Sequence, residues 1–169
     1  EITTRVASFD NPSNGWSKAG VMIRETLDDD SKTAMTNVTR SYGVTFQRRA
    51  TDGDRYYKKR TAGQTAPVWL RLSRVGNTFT GYYSNNGTSW TMIGVPETVS
   101  MGTSVYVGMA VTSKKDGTLD TATFDNVSVD TNGGGTTTSN PPVADFSATP
   151  TNISEGDSVS FIDESTNSP

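Results

Sequence analysis

Six side chains in this sequence have the chemistry of a sugar-binding surface: Arg24, Gln47, Arg49, Trp69, Arg71 and Tyr82. Aromatic faces stack on the apolar C–H side of a pyranose. Guanidinium and amide groups are planar donors that hold hydroxyls or carboxylates with two hydrogen bonds at once. Each of the six falls on the outward side of a segment with period-two alternation. If those segments are neighbours in one sheet, the six form one patch, and its three arginines favour uronic or sulfated sugars over neutral glucans. Packing beneath a loop, with the arginines paired to Glu25 or Asp120, is the competing reading.

Other constellations are weaker. Asp52–Arg60 (DGDRYYKKR) is a charged loop with two tyrosines. It reads as a rim contact to an anionic polymer or, more simply, as a solvated hairpin tip. Asp28-Asp29-Asp30 raises structural calcium, because hard cations take several carboxylate oxygens. The run lacks the spaced ligands and glycine of a calcium loop and reads equally as a solvated turn. Asp125 is a further carboxylate of the kind that sandwich domains give to calcium.

Catalysis is not expected. The 169 residues contain neither histidine nor cysteine, which removes Ser-His and Cys-His nucleophiles and imidazole-held zinc. Glycoside hydrolysis needs two rigidly placed carboxylates, and the strand segments hold no Glu-x-Asp pair. Asp52 and Asp54 flank Gly53 in a loop. A net charge of −3 argues against a general nucleic-acid binder. No apolar run approaches the roughly 18–20 residues of a membrane span, so no membrane insertion is expected.

The elements that must position these groups are strands. Ala19, Val21 and Ile23 alternate with Gly20, Met22 and Arg24; Val44 and Phe46 with Thr45, Gln47 and Arg49; Val68, Leu70 and Leu72 with Trp69, Arg71 and Ser73; Val105, Val107, Met109 and Val111 with Tyr106, Gly108 and Ala110. Turns are expected at Gly76-Asn77, Asn86-Gly87 and Asp116-Gly117. Leu27–Lys32 has room for one short helical turn. Short strands with regular turn signals predict an all-β chain, an antiparallel sandwich of two sheets or a barrel. Residues 131–140 (TNGGGTTTSN) lose all periodicity and read as a linker.

The ordered set AGVMIRE, GVTFQRR, WLRL, FTGYYS, VYVGMAV and TATFDNVSV, within residues 1–130, resembles the concanavalin A-like (laminin G-like) modules of bacterial secreted proteins. The resemblance implies a jelly-roll sandwich, usually non-catalytic and appended to secreted or cell-surface enzymes and adhesins. Carbohydrate binding is its usual activity and polysaccharide its usual partner. Family members normally carry further strands before Glu1-Ile2-Thr3. Residues 141–169 resemble the opening of a polycystic-kidney-disease (PKD) repeat, an immunoglobulin-like spacer, through PVADF, Gly156-Asp157-Ser158-Val159 and Phe161 with Asp163. The part with that repeat's tryptophan is missing, so this segment is expected to be incomplete. The expectation is a secreted binding module with neighbouring domains, completed at its ends by flanking chain or neighbouring subunits. The alternative is a structural or adhesive module of a filament or stalk with no sugar ligand.

Overall fold

The computed structural model describes residues 1–10, 12–131, 146–149 and 160–163. The chain divides into two compact units, Glu1–Gly134 and Gly135–Pro169. Most of the expected linker, 132–140, and most of the PKD-like segment lie outside the described residues.

The first unit is all-β, with no helix among the described residues. Its strands are β1 (Ile2–Asp10), β2 (Lys18–Arg24), β3 (Thr33–Thr39), β4 (Gly43–Arg49), β5 (Tyr57–Thr61), β6 (Val68–Val75), β7 (Thr78–Ser84), β8 (Thr91–Met92), β9 (Glu97–Thr98), β10 (Tyr106–Thr112) and β11 (Thr121–Val129). They form two antiparallel sheets, ordered β11-β1-β6-β7-β8, with β9 beside β7, and β10-β2-β3-β4-β5. In the second unit β12 (Phe146–Thr149) pairs antiparallel with β13 (Ser160–Asp163).

The core follows the alternation except on β10, where Val107, Met109 and Val111 stay exposed at the sheet edge. Ile2, Val6, Val68, Leu70, Leu72 and Phe79 from one sheet meet Ala19, Val21, Ile23, Val38, Val44 and Phe46 from the other. Each larger side chain buried this way contributes about 1.5–3 kcal/mol, and the shared cluster makes the pair of sheets a sandwich. The sheets approach closely at Gly81, where an added Cβ would stand 2.7 Å from Thr36 Oγ1 and 2.8 Å from Phe46 Cβ.

The edge strand β11 carries a bulge that keeps its apolar residues on the core side. On β11, Phe124 faces Val6 and Val129 faces Ile2, although five residues separate them. An odd spacing can serve one face only through a bulge, and Asn126, with φ 51°, supplies it. The strand β3 escaped the period-two reading because all seven of its residues are buried, on both faces. The turns at Gly76-Asn77, Asn86-Gly87 and Asp116-Gly117 are present. Instead of a helical turn, Leu27–Lys32 forms a bent loop closed by Ser31 N–H donating to Asp28 O at 3.1 Å.

Candidate functional site

The six residues of the expected patch do not meet, because they belong to two different sheets. Arg24 is on β2, and Gln47 and Arg49 are on β4; Trp69 and Arg71 are on β6, and Tyr82 is on β7. All six point away from the shared core, so the two groups of three lie on opposite outer faces of the sandwich. Alternation fixes a side chain's face; it carries no information about which sheet the strand joins.

Most of the six also have structural partners. Arg24 Nε donates to Thr26 O at 2.6 Å, and its Nη2 donates to Asp28 O. Arg49 Nη1 donates to Asp29 O at 2.7 Å. These two guanidiniums hold the 25–31 loop. Arg71 lies 4.0 Å from the Trp90 ring centroid and 3.4 Å from a Glu1 carboxylate oxygen. Trp69 packs under the 85–89 hairpin, where a Cβ on Gly87 would stand 2.8 Å from its indole. For Trp69, Arg24 and Arg49 the packing role is what the geometry supports, with backbone carbonyls and a glycine as partners in place of Glu25 and Asp120. Of the six, Gln47 alone lines the main cleft.

That cleft, about 640 Å³, lies on the outer face of the sheet containing β2–β5. Antiparallel pairing sets its floor in rows. One row runs Gly108, Met22, Met35, Gln47, Lys58 across β10, β2, β3, β4 and β5. The next runs Ala110, Gly20, Asn37, Thr45, Arg60. Small residues on β10 and β2 leave room, methionines give an adaptable apolar surface, and amides sit beyond them. Gln47 Nε2 donates to Thr45 Oγ1 at 2.8 Å, and Thr45 Oγ1 donates to Asn37 Oδ1 at 2.8 Å. Asn37 is fully buried, and its Nδ2 has no hydrogen-bond partner.

The cleft's aromatic wall is Trp16, in the loop between β1 and β2. The loop is held tightly. Asn14 Oδ1 accepts from Trp16 N at 2.8 Å, Ser17 Oγ donates to Ser113 O at 2.9 Å, and Asp120 Oδ1 accepts from Ser13 N at 3.0 Å. Such Asx geometry is the usual use of a short polar side chain beside a turn. Trp16 stacks on Tyr42 with ring centroids 3.9 Å apart, and Lys58 Nζ lies 3.6 Å from the Trp16 centroid. Tyr56 forms another part of the lining and lies 4.5 Å from the Arg49 guanidinium.

Three lysines, Lys18, Lys58 and Lys114, line this space, and none of the lining residues is acidic. Among the described residues none of the three is in a salt bridge. Lys18 is 9% exposed, and its ammonium donates to Trp16 O at 3.1 Å. Burial, reinforced by the charges of Lys114 and Lys58, lowers its pKa to about 8. Lys114 sits at φ 54°, an uncommon conformation for a residue with a side chain.

The sequence reading reached Gln47 by parity and Tyr56 and Lys58 by composition. Lys18 was legible too, since it continues the face of Gly20, Met22 and Arg24. Trp16 sits in a loop and had no periodic signal. The calcium expectation finds no site: the described residues contain no group of three or more metal-ligating side chains. Asp125 instead receives two hydrogen bonds from Arg5, at 2.9 and 2.7 Å. Comparison of the chain with protein-family models, curated proteins and solved structures gives no match.

Proposed function

We propose that residues 1–130 are a non-catalytic, extracellular carbohydrate-binding module of concanavalin A-like jelly-roll type. It tethers a secreted multidomain protein to a polysaccharide, and the PKD-like segment acts as a spacer to the next domain. The observation that carries this reading is the cleft: an aromatic wall at Trp16, an apolar floor of Met22 and Met35, and the Gln47 amide, in a space open enough for a chain of sugar rings. The lack of any carboxylate in the lining supports binding without hydrolysis. Tethering acts by proximity, raising the effective substrate concentration seen by an attached catalytic unit. A polysaccharide array probed with the chain and with Trp16→Ala tests it. Binding to one polysaccharide class that the variant loses is the expected result; a folded chain that binds none of the array refutes the reading.

One observation favours the structural or adhesive alternative. The strands β10 and β11 are each paired on one side only, at corresponding edges of the two sheets. Their core-directed side chains are open: Val107, Met109 and Val111 are 39, 49 and 41% exposed, and Val127 and Val129 are 47 and 52% exposed. Aliphatic side chains beside a free strand edge suit an added strand from a neighbouring copy. Light scattering decides this reading. It expects a defined oligomer that Met109→Lys dissociates, and a monomer at all concentrations counts against it.

A further inference from the structure

Three ammonium groups converging on one cleft without a carboxylate are costly to fold around. Like charges disfavour one another, and Lys18 has lost most of its water. The same face buries a polar ladder, Gln47–Thr45–Asn37, with the Asn37 amide unpaired at its end. Among the side chains that line the cleft, charged donors are in excess and no carboxylate answers them. The missing complement is an anion with several oxygens.

The Trp16 ring adds a second constraint. Tyr42 covers it at 3.9 Å, and the Lys58 ammonium stands over it at 3.6 Å. A sugar that stacks on Trp16 has to displace Lys58. A neutral sugar gives that ammonium nothing in return for the cation–π contact it loses. An acidic sugar gives it an ion pair, and charge-assisted hydrogen bonds are about twice as strong as neutral ones.

We propose, building on the carbohydrate-binding reading, that this cleft selects glycans bearing carboxylate or sulfate groups. Lys18, Lys58 and Lys114 hold the acid group, and Lys58 leaves the Trp16 face to do so. Of the arginines first suspected of reading the charge, Arg24 and Arg49 are held by loop carbonyls and Arg71 by Trp90 and Glu1; the lysines replace them in that role. Lys58 acts as a filter: it covers the stacking surface until an anion draws it away.

Calorimetric titration of the whole chain tests this with three probes: oligogalacturonate, the same oligomer after carboxyl reduction, and a sulfated galacto-oligosaccharide. Variants Lys58→Gln and Lys114→Gln, both at exposed positions, keep the fold intact, which circular dichroism verifies. The expected result is binding of at least one acidic probe about tenfold or more tighter than the reduced one. Each variant then loses about three- to tenfold for the acid. Lys58→Gln also narrows the gap by binding the reduced oligomer as well as or better than the parent chain. Preference for the carboxylate or the sulfate probe identifies the acid. Equal affinity for charged and reduced oligomers, or acid binding indifferent to both substitutions, overturns the inference and leaves the carbohydrate reading standing. A folded chain that binds none of the three, nor any neutral glycan of the array, overturns both.

Discussion

The Lys58 ammonium lies 3.6 Å from the centroid of the Trp16 ring, on a side chain that already stacks on Tyr42. Removing the ring removes the stacking surface and the contact that steadies Lys58. Trp16→Ala is therefore expected to weaken glycan binding about tenfold or more. It also costs about 1–3 kcal/mol of stability from lost aromatic packing. Titration calorimetry and urea unfolding separate the two effects.

Arg24 and Arg49 are expected to behave differently. Their donors are taken by the carbonyls of Thr26, Asp28 and Asp29. Truncating Arg49 frees the 25–31 loop by removing its hydrogen bonds to the Asp29 and Ser31 carbonyls. A cost of about 1–2 kcal/mol in stability is expected, with glycan affinity changed less than about threefold. A larger loss of affinity than of stability in Arg49→Ala would return this residue to the binding site.

The contrast bounds what the sequence could show. The inward faces of Val21, Val44, Val68 and Leu70 were legible, because period two is imposed by the strand itself. The separation of Arg24 and Trp69 onto opposite faces was not, because it depends on which strands pair across long stretches of chain. Likewise β3 is buried on both sides, and Thr36 on its core face and Met35 on its outer face blur the alternation. Trp16 is fixed by its own N–H donating to Asn14 Oδ1 and by the Ser17 Oγ bond to Ser113 O, and their register in a loop obeys no period.

Lys18 gives the cleft a pH dependence. Its pKa, lowered to about 8, means that the native state releases this proton before the unfolded chain does. The unfolded state binds more protons between about pH 8 and 10.5, so this lysine makes stability rise with pH through that window. Lys18→Met abolishes that part of the rise. Acid-glycan affinity runs the opposite way and falls as pH passes 8, through loss of the Lys18 charge. Lys58 from β5 and Lys114 from the β10–β11 loop are the charged groups that face it. Calorimetry at about pH 6.5 and 9.5 reads the change.

The Arg5–Asp125 pair ties β1 to the edge strand β11 with two hydrogen bonds. The Arg5 bonds, followed by that from Asn126, hold the Asp125 carboxyl below its ordinary pKa. A depressed carboxylate stabilises above its unfolded pKa, and that contribution is lost as pH falls through the folded one. Asp125→Asn is expected to be less stable than the parent at neutral pH, with the difference shrinking at an acid pH below the ordinary carboxylate value. Thermal unfolding at the two pH values provides the check.

Gly81→Ala probes the sandwich interface. The added methyl would meet Thr36 Oγ1 and Phe46 Cβ across the core at under 3 Å. Overpacking of this kind costs about 1–3 kcal/mol, read as a lower urea midpoint with an unchanged slope.

The lysines of the cleft also have a consequence for encounter. The chain as a whole carries a charge of −3, yet one outer face gathers three unpaired cations. Five of the 18 acidic side chains lie beyond residue 131, so residues 1–131 carry a small net positive charge, and a polyanion near that face is drawn in over it. At physiological ionic strength the field reaches only about 8 Å, so it acts late, on molecules already near the surface. The charge pattern therefore orients the docking partner more than it hastens its arrival. The polymer is then held in a preferred direction across the β2–β5 sheet.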